Sequence, residues 1–498
     1  MNIRFHLRKP LYLLVFLFWF PAASSYSVEH LGDLTGPWIL FVDDHVIEHK
    51  DNVSRSYHAF QKHEANPLLI ADKAWEGSTS YLYGTVLPAE NENGYRMWYH
   101  SWANGEYRML YATSRDGLQW DKPNLGQVAF EGSTQNNILF RHTHENHSPQ
   151  VIHTPWERDP EQRYKFIYYE YGRTPPDFTI SGYYGMSSPD GVHWNVANEM
   201  KPILKDHGDV GNFVWDSLRK RYIAWPKKFD EVRGFRRRSV GFTETRDFEN
   251  WPTTKLVLVP DEFDDRWVNE KSADNAHTDF YGMSGFAYES MYIGFLWVFP
   301  ITDGKNDGPI FVELVTSHDG EHWTRQEKPR PPILPLGTEG AWDDGMVFTP
   351  NHPLVEDGII KLYYGGFDTT HSAGDGSAAI GLATLRKDGF ASLDAGPKVG
   401  IITTTRLVGA TGTLAVNYRS NSGWLRAEIL DGKGNVVAGY SREDCTPLTA
   451  DNLDETLSWG GRKLLPNIGN PLQIRFILRN TALYSFRFGE GTSEKDPE

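Results

Sequence analysis

A short turn motif recurs along the chain and limits its fold more than any other feature. Three segments, 114–120, 188–194 and 317–323, share the pattern Ser-x-Asp-Gly-x-x-Trp, and 245–251 and 386–393 are degenerate copies. Asp-Gly is a turn signal, because glycine tolerates a positive φ and the aspartate side chain bonds its own backbone. We therefore interpret the aspartates of these turns as scaffold.

An aromatic segment precedes each copy of the turn. These segments resemble short strands, and the chain shows no convincing helical periodicity, which indicates an all-β fold. Five units of roughly 55 to 75 residues fit the blades of a propeller. The segments are 95–99, 164–169, 221–225, 291–296 and 360–364. The sequence thus predicts a five-bladed β-propeller over residues 35–397.

The chain beyond residue 398 lacks the turn motif. It has shorter alternating strands, such as 413–418 and 472–478, and a hairpin turn at Asp431-Gly432. We predict a C-terminal β-sandwich over 398–490, packed on the propeller. The residues after 490 are expected to be disordered.

The N-terminus has the pattern of a secretory signal peptide. Basic residues up to Lys9 precede an apolar run, 11–20, and small residues at 22–25. We expect residues 1–25 to be removed and the protein to be secreted or periplasmic. A retained anchor is the competing reading, although the run is shorter than the roughly 20 residues that a bilayer requires.

Composition narrows the class of partner. A net charge of −15 argues against nucleic acid, because phosphate binding requires a basic surface. A single cysteine, Cys445, cannot form an intramolecular disulfide. Aromatic residues make up 14% of the chain, and sugars stack their C–H faces on such rings. We expect a carbohydrate ligand, no membrane contact after signal cleavage, and a monomer.

Candidate catalytic acids precede the aromatic strands, where the innermost strand of each blade should begin. Units three to five place Asp209, Asp279 and Asp343 there, and Asp344 competes with Asp343 for the inward position. Carboxylates facing one another across a channel have pKa values driven apart. That would provide the protonated acid and ionised base that glycoside hydrolysis requires.

The turns, the aromatic strands and the segment 66–68 (Asn-Pro-Leu) together resemble the five-bladed glycoside hydrolases of families 43 and 32. The resemblance covers roughly residues 35–395, and the C-terminal sandwich is similar to that of invertase-type enzymes. It implies that Asp209 is the blade-three acid, as orienter or pKa modulator. It also implies that Asp279 is the proton donor, although as Asp instead of the usual Glu.

This chain departs from the family pattern in the first blade, which reads Tyr-Leu-Tyr at 81–83 without the expected Asp-Pro. Either another carboxylate replaces the missing acid or the chemistry differs. The candidates are Glu76, Asp43, Asp44 and Asp343. Tyr83 as a nucleophile is a minority alternative.

Further side chains are candidates for substrate binding. His147 and His277 are expected to bond sugar hydroxyls or serve as the acid, and Trp342 to stack on a ring. Histidines at His142, His144, His147 and His153 match no tight zinc spacing, so we expect no metal or other cofactor, with structural calcium left open. The substrate-binding set is therefore Glu76, Tyr83, His147, His277, Trp342 and Asp344.

Three functions remain. The first is a secreted glycoside hydrolase using carboxylate acid/base catalysis. The second is a non-catalytic carbohydrate-binding propeller, which the missing blade-one acid favours. A sialidase-like enzyme ranks last, because no arginine occupies the predicted strand starts.

Overall fold

The computed structural model describes residues 36–90, 94–103, 105–140, 147–171, 181–195, 201–205, 208–217, 219–466 and 471–489. The predicted signal peptide, His142, His144 and the tail after 490 lie outside these residues. Within them, helix is confined to short 3-10 turns at Ala74–Glu76, Pro160–Gln162 and Glu262–Asp265. None of these could span a bilayer.

The described chain begins with strands that belong to other parts of the molecule. The first three join the C-terminal sheet, and the next two join the last blade. They are β1 (Ile39–Leu40), β2 (Ile47–Asp51), β3 (Val53–Tyr57), β4 (Gln61–Lys62) and β5 (Leu69–Ile70).

Five antiparallel sheets then follow in chain order, and each begins with its innermost strand. The first two blades are β6 (Tyr81–Pro88), β7 (Tyr95–Ala103), β8 (Glu106–Ser114), β9 (Trp120–Asp121) and β10 (Ile138–Phe140), then β11 (His147–His153), β12 (Tyr164–Glu170), β13 (Gly182–Ser188) and β14 (Leu204–Lys205). The third and fourth blades are β15 (Gly211–Asp216), β16 (Arg221–Val232), β17 (Phe235–Thr245) and β18 (Lys255–Leu258), then β19 (His277–Tyr288), β20 (Met291–Ile301), β21 (Phe311–Ser317) and β22 (Trp323–Arg325). The fifth is β23 (Met346–Phe348), β24 (Leu354–Glu356), β25 (Ile359–Phe367) and β26 (Ala378–Arg386). The predicted five-bladed propeller is confirmed.

The N-terminal strands β4 and β5 close the ring. They pair with β26 as the outer edge of the fifth blade. Asn66, in the segment between β4 and β5, exchanges side-chain hydrogen bonds with the backbone of Leu382 in β26. The last blade is therefore built from both ends of the propeller sequence.

The repeated turns join neighbouring blades. In the turn at 188–194, Asp190 Oδ1 accepts hydrogen bonds from the backbone N–H groups of Val192 and His193, so its carboxylate serves the scaffold. The carbonyl of Gly191 then accepts a 2.7 Å hydrogen bond from Trp98 of the preceding blade. Trp225 and Tyr363 make the same contact to the carbonyls of Gly320 and Gly117. Motif and aromatic strand thus form one blade-to-blade joint.

The C-terminal region is a single sheet folded over an apolar core. Its strands are β27 (Ala391–Ala395), β28 (Gly400–Thr404), β29 (Thr413–Leu430), β30 (Asp451–Thr456) and β31 (Gln473–Gly489), joined by β1, β2 and β3. Register breaks between Ser420 and Trp424 let the two halves of β29 face each other. Phe476 and Phe486, from the two halves of β31, pack at 5.5 Å.

The boundary between the two parts differs from the prediction, because strands within 39–57 pair with the C-terminal sheet and the propeller strands begin at Gln61. The degenerate fifth turn lies at this junction. Its Asp388 is fully buried and accepts hydrogen bonds from Tyr288 of the propeller and Ser485 of the C-terminal sheet. The turn therefore docks the sheet in place of another blade.

Candidate functional site

A pocket of about 450 Å³ lies at the mouth of the central channel where the innermost strands begin. Aromatic side chains form most of its wall, and polar side chains lie at its floor and on the loop between β25 and β26. The aromatic members are Tyr81, Tyr83, Trp102, Tyr107, Tyr281, Phe348 and Phe367, and the polar members include Ser78, Thr79, His147, Asp209, Thr369, Thr370, His371 and Asp375. Ring faces beside hydrogen-bonding groups suit a sugar.

Asp209 supplies the carboxylate of the pocket floor. It precedes β15, and its Oδ1 accepts a 2.6 Å hydrogen bond from the ammonium of Lys227 on β16. Burial opposes ionisation, but Lys227, the hydroxyl of Tyr171 and His147 outweigh it and hold the pKa of Asp209 well below its usual range. Asp209 is therefore an anion at any physiological pH.

His147 stands beside this carboxylate at the start of β11. Its Nδ1 is 3.9 Å from Asp209 Oδ2, and its ring packs edge-on to Tyr107 at 4.4 Å. Tyr107 in turn contacts Trp102, which is 39% exposed at the rim. This wall therefore combines the imidazole of His147 with the exposed ring of Trp102, on which a sugar can stack.

A hydrogen bond crosses the pocket from the fourth blade to the fifth. Tyr281 on β19 bonds to His371 Nε2, in the loop between β25 and β26, at 3.2 Å. His371 Nδ1 faces the carbonyl of Asn306 at 2.9 Å, so Nδ1 carries the proton and Nε2 accepts. Burial raises the pKa of Tyr83, which makes its phenolate a poor candidate for the alternative nucleophile.

The expected ring of three carboxylates does not form, because the innermost strands start at different positions relative to their aspartates. Asp209 precedes β15, Asp279 lies inside β19, and Asp343 falls in the loop before β23. Only Asp209 of these three lines the pocket. The other carboxylate among its described lining residues is Asp375, which is exposed at the rim.

Asp279 lies behind the pocket wall, where it is 2% exposed. Its Oδ2 accepts a 2.8 Å hydrogen bond from Arg238, and its Oδ1 is 3.3 Å from His277 Nε2. His277 stacks on Phe235 and likewise does not line the pocket. This group forms a buried ion cluster beside the channel.

Asp343 belongs to the structure of the fifth blade. Its Oδ2 accepts hydrogen bonds from Lys62 at 2.6 Å and from Tyr364 at 2.8 Å. Trp342 stacks on Tyr364, and Asp344 accepts a backbone hydrogen bond from Gly340. None of these residues lines the pocket.

The candidate replacements for the blade-one acid are also bound elsewhere. Glu76 is fully buried among five hydrogen-bond donors. Asp43 pairs with His318, and Asp44 with Lys50 and Arg55. The first blade contributes Tyr81, Tyr83, Trp102 and Tyr107 to the pocket, and no carboxylate within its described residues.

Sequence reasoning missed Lys227, Tyr281 and His371. Tyr281 had a usable signal, since it lies two positions beyond Asp279 and strand side chains alternate. Lys227 gave a weaker signal, as a charged residue shortly after the aromatic segment 221–225. His371 lies in a loop that carries no motif. Among the described residues, no group of three acidic, histidine or cysteine side chains is arranged to hold a metal ion.

No protein-family model matches the chain, and no curated protein is similar to it. Solved structures similar in fold include an N-acetylgalactosamine deacetylase from F. plautii in complex with blood group B trisaccharide (16% identity, 68% of this chain and 96% of that chain, TM-score 0.44). Others are a glycosyl hydrolase from Bacteroides ovatus (12%, 66% and 94%, TM-score 0.43) and a glycoside hydrolase of the GH130 family of mannoside phosphorylases (13%, 66% and 94%, TM-score 0.41). Matches at this level assign the chain neither to family 43 nor to family 32.

Proposed function

We propose that this protein is a glycoside hydrolase that binds a sugar residue of a polysaccharide or oligosaccharide in the pocket at the channel mouth. The observation that carries the proposal is an aromatic-walled pocket whose floor holds a carboxylate kept ionised by a buried lysine. The rings take the apolar face of the sugar, and the polar groups take its hydroxyls. No arginine is among the described lining residues, so a sialic acid carboxylate has no partner there.

In this proposal Asp209 serves as the anionic group of the reaction. A carboxylate at the floor stabilises the positive charge that develops on the sugar ring. His147, 3.9 Å away, donates the proton to the departing oxygen in this proposal, and its neutral ring then takes a proton from the attacking water. Lys227 keeps Asp209 ionised but does not itself line the pocket.

The chain provides a matched pair for testing this assignment. Asp209 and Asp343 each accept a 2.6 Å hydrogen bond from a lysine, but only Asp209 lines the pocket. We expect Asp209→Asn to reduce product release at least 100-fold from whichever glycan the parent cleaves in a polysaccharide and oligosaccharide screen. Asp343→Asn should retain most of the activity. Equal losses in both variants, with both still folded, would refute the assignment.

A non-catalytic sugar-binding propeller is the second candidate. It is favoured by the scarcity of acids, since the described lining residues include only Asp209, locked to a lysine, and the exposed Asp375. In that case no glycan in the screen releases product. Binding would still weaken in Trp102→Ala, because the exposed ring contributes to stacking whether or not a bond is cleaved.

A further inference from the structure

The opposite mouth of the channel holds a second cavity of about 420 Å³, where the innermost strands end. It has no lining residue in common with the first pocket. Its walls are mostly apolar, and its volume lies within the range of small-molecule sites. Trp156, Trp215, Asn351, His352 and His153 are among its lining residues.

A belt of hydrogen bonds separates the two cavities. The side-chain amide of Asn351 donates to the carbonyl of Val151 at 3.2 Å and faces that of Phe213 at 3.4 Å. The backbone carbonyl of Asn351 accepts a hydrogen bond from the side-chain amide of Asn212, and its backbone N–H donates to the carbonyl of Gly84. These contacts tie together three neighbouring blades and the segment that follows β23, so a ligand at one mouth need not disturb the other.

Two hydrogen-bond acceptors belong to the residues that line this cavity. Because the Asn351 N–H₂ group faces two carbonyls, its Oδ1 has a fixed orientation, and this buried atom accepts no hydrogen bond from any described residue. His352 Nδ1 donates to the carbonyl of Pro353 at 3.1 Å, which leaves Nε2 of the neutral ring as an acceptor. A ligand that fits here must offer hydroxyl or N–H donors, because an unpaired buried acceptor is unfavourable.

The outer part of the cavity is a tryptophan platform. Trp156 is 54% exposed and packs against Trp215 with ring centroids 5.3 Å apart. No aspartate, glutamate, lysine or arginine lines the cavity within the described chain. His153 also lines the cavity and lies 2.6 Å from Glu90; burial lowers the pKa of His153 and of His352, so both imidazoles are neutral. These surroundings favour an uncharged ligand over an anion or an ammonium compound.

We propose that this cavity is a second binding site for a neutral, hydroxyl-bearing ring, chemically a sugar residue, held between the Trp156–Trp215 platform and the Asn351 and His352 acceptors. The ring's C–H face would stack on the indoles while its hydroxyls donate to the two acceptors. We expect binding without chemistry at this site, because no carboxylate is among its described lining residues. It is independent of the proposed hydrolysis, which takes place at the other mouth.

The test uses saturation-transfer NMR on the full chain carrying Trp102→Ala, which weakens the first pocket. The probes are methyl glycosides of glucose, galactose, mannose and N-acetylglucosamine, and the charged controls are hexanoate and benzyltrimethylammonium. We expect at least one glycoside to bind, and adding Trp156→Ala to weaken it at least tenfold. Trp424→Ala, which removes a half-buried tryptophan of the C-terminal sheet, is the matched control and should leave binding unchanged.

The proposal is overturned if no glycoside binds, if binding is insensitive to Trp156→Ala, or if a charged control binds more tightly than every glycoside. Trp156 is half exposed, so its loss should not prevent folding. Trp156→Ala alone should also leave hydrolysis at its parental rate. A loss of hydrolysis in Asp209→Asn with intact binding at the second mouth separates failure of one site from failure of the other.

Discussion

Replacing Glu76 tests whether this residue belongs to the fold or to the site. Its fully buried carboxylate faces only donors: the backbone N–H groups of Asp72 and Lys73 at 3.0 Å each, Lys122 Nζ at 2.7 Å, the hydroxyl of Tyr99 at 2.8 Å and that of Ser80 at 3.2 Å. In Glu76→Gln the new N–H₂ group can turn toward the two hydroxyls, which can rotate to accept. The main loss is then the charge-assisted bond to Lys122.

We expect Glu76→Gln to lower the free energy of unfolding by about 2–3 kcal/mol, because a bond to a buried charge is lost and Lys122 keeps only Asp72 and the carbonyl of Ile70 as partners. Asp72 is then its one anionic partner among the described residues; the side chain of Asp72 is 48% exposed and lies 2.5 Å from the ammonium. Asp72→Asn is therefore the matched control, with an expected cost below about 1 kcal/mol.

Guanidinium unfolding followed by tryptophan fluorescence measures both variants, and the product assay measures what the folded protein still does. A structural role predicts that folded Glu76→Gln retains its activity. Parental stability combined with lost activity would refute this reasoning and return Glu76 to the substrate-binding residues that the sequence suggested. A double variant with Lys122→Met should recover part of the stability, because it removes the ammonium that has lost its buried counter-ion.

Two further predictions concern other parts of the scaffold. Trp98→Phe should destabilise the propeller by about 2 kcal/mol, because the buried carbonyl of Gly191 loses its 2.7 Å hydrogen-bond donor. The control Trp424→Phe should change the free energy of unfolding by less than about 0.5 kcal/mol in the same assay. Burial opposes protonation of His277, but Asp279 and a backbone carbonyl outweigh it and raise the pKa of the imidazole. The contribution of His277 to stability is therefore full below about pH 6.5 and is lost as the pH rises through the folded-state pKa. His277→Gln should flatten the stability curve above that pH in thermal melts taken at pH 5 to 8.5, and an unchanged curve would contradict this assignment.

The sequence was sufficient for the architecture because its signals are local. Each Asp-Gly turn closes its hydrogen bonds within six residues, as in the contacts from Asp190 to Val192 and His193. The aromatic strand supplies the Trp98 or Trp225 ring that caps the next turn. The turn motifs themselves do not depend on distant parts of the chain, whereas the ring contacts do, so the blade count could be predicted from the turns.

Ring closure and the domain boundary were beyond the sequence, because both depend on pairing across most of the chain. Residues Leu69 and Ile70 look like an ordinary short strand, yet they pair with Ile380 and Ala379 in the fifth blade. Val53–Tyr57 resembles propeller sequence but pairs with β27 of the C-terminal sheet. Nothing local distinguishes these partners from nearer ones.

The site was predicted only in part because the turn motif sets the register at the outer edge of a blade, whereas the pocket is built at the inner edge. The innermost strand has 12 residues in the fourth blade and 3 in the fifth. The aspartate that precedes the aromatic strand therefore reaches the floor as Asp209, lies behind the wall as Asp279, or leaves the pocket as Asp343. Since Asp209 and Asp343 have the same lysine contact at 2.6 Å, position along the innermost strand, and not the ion pair itself, determines which carboxylate can meet a ligand.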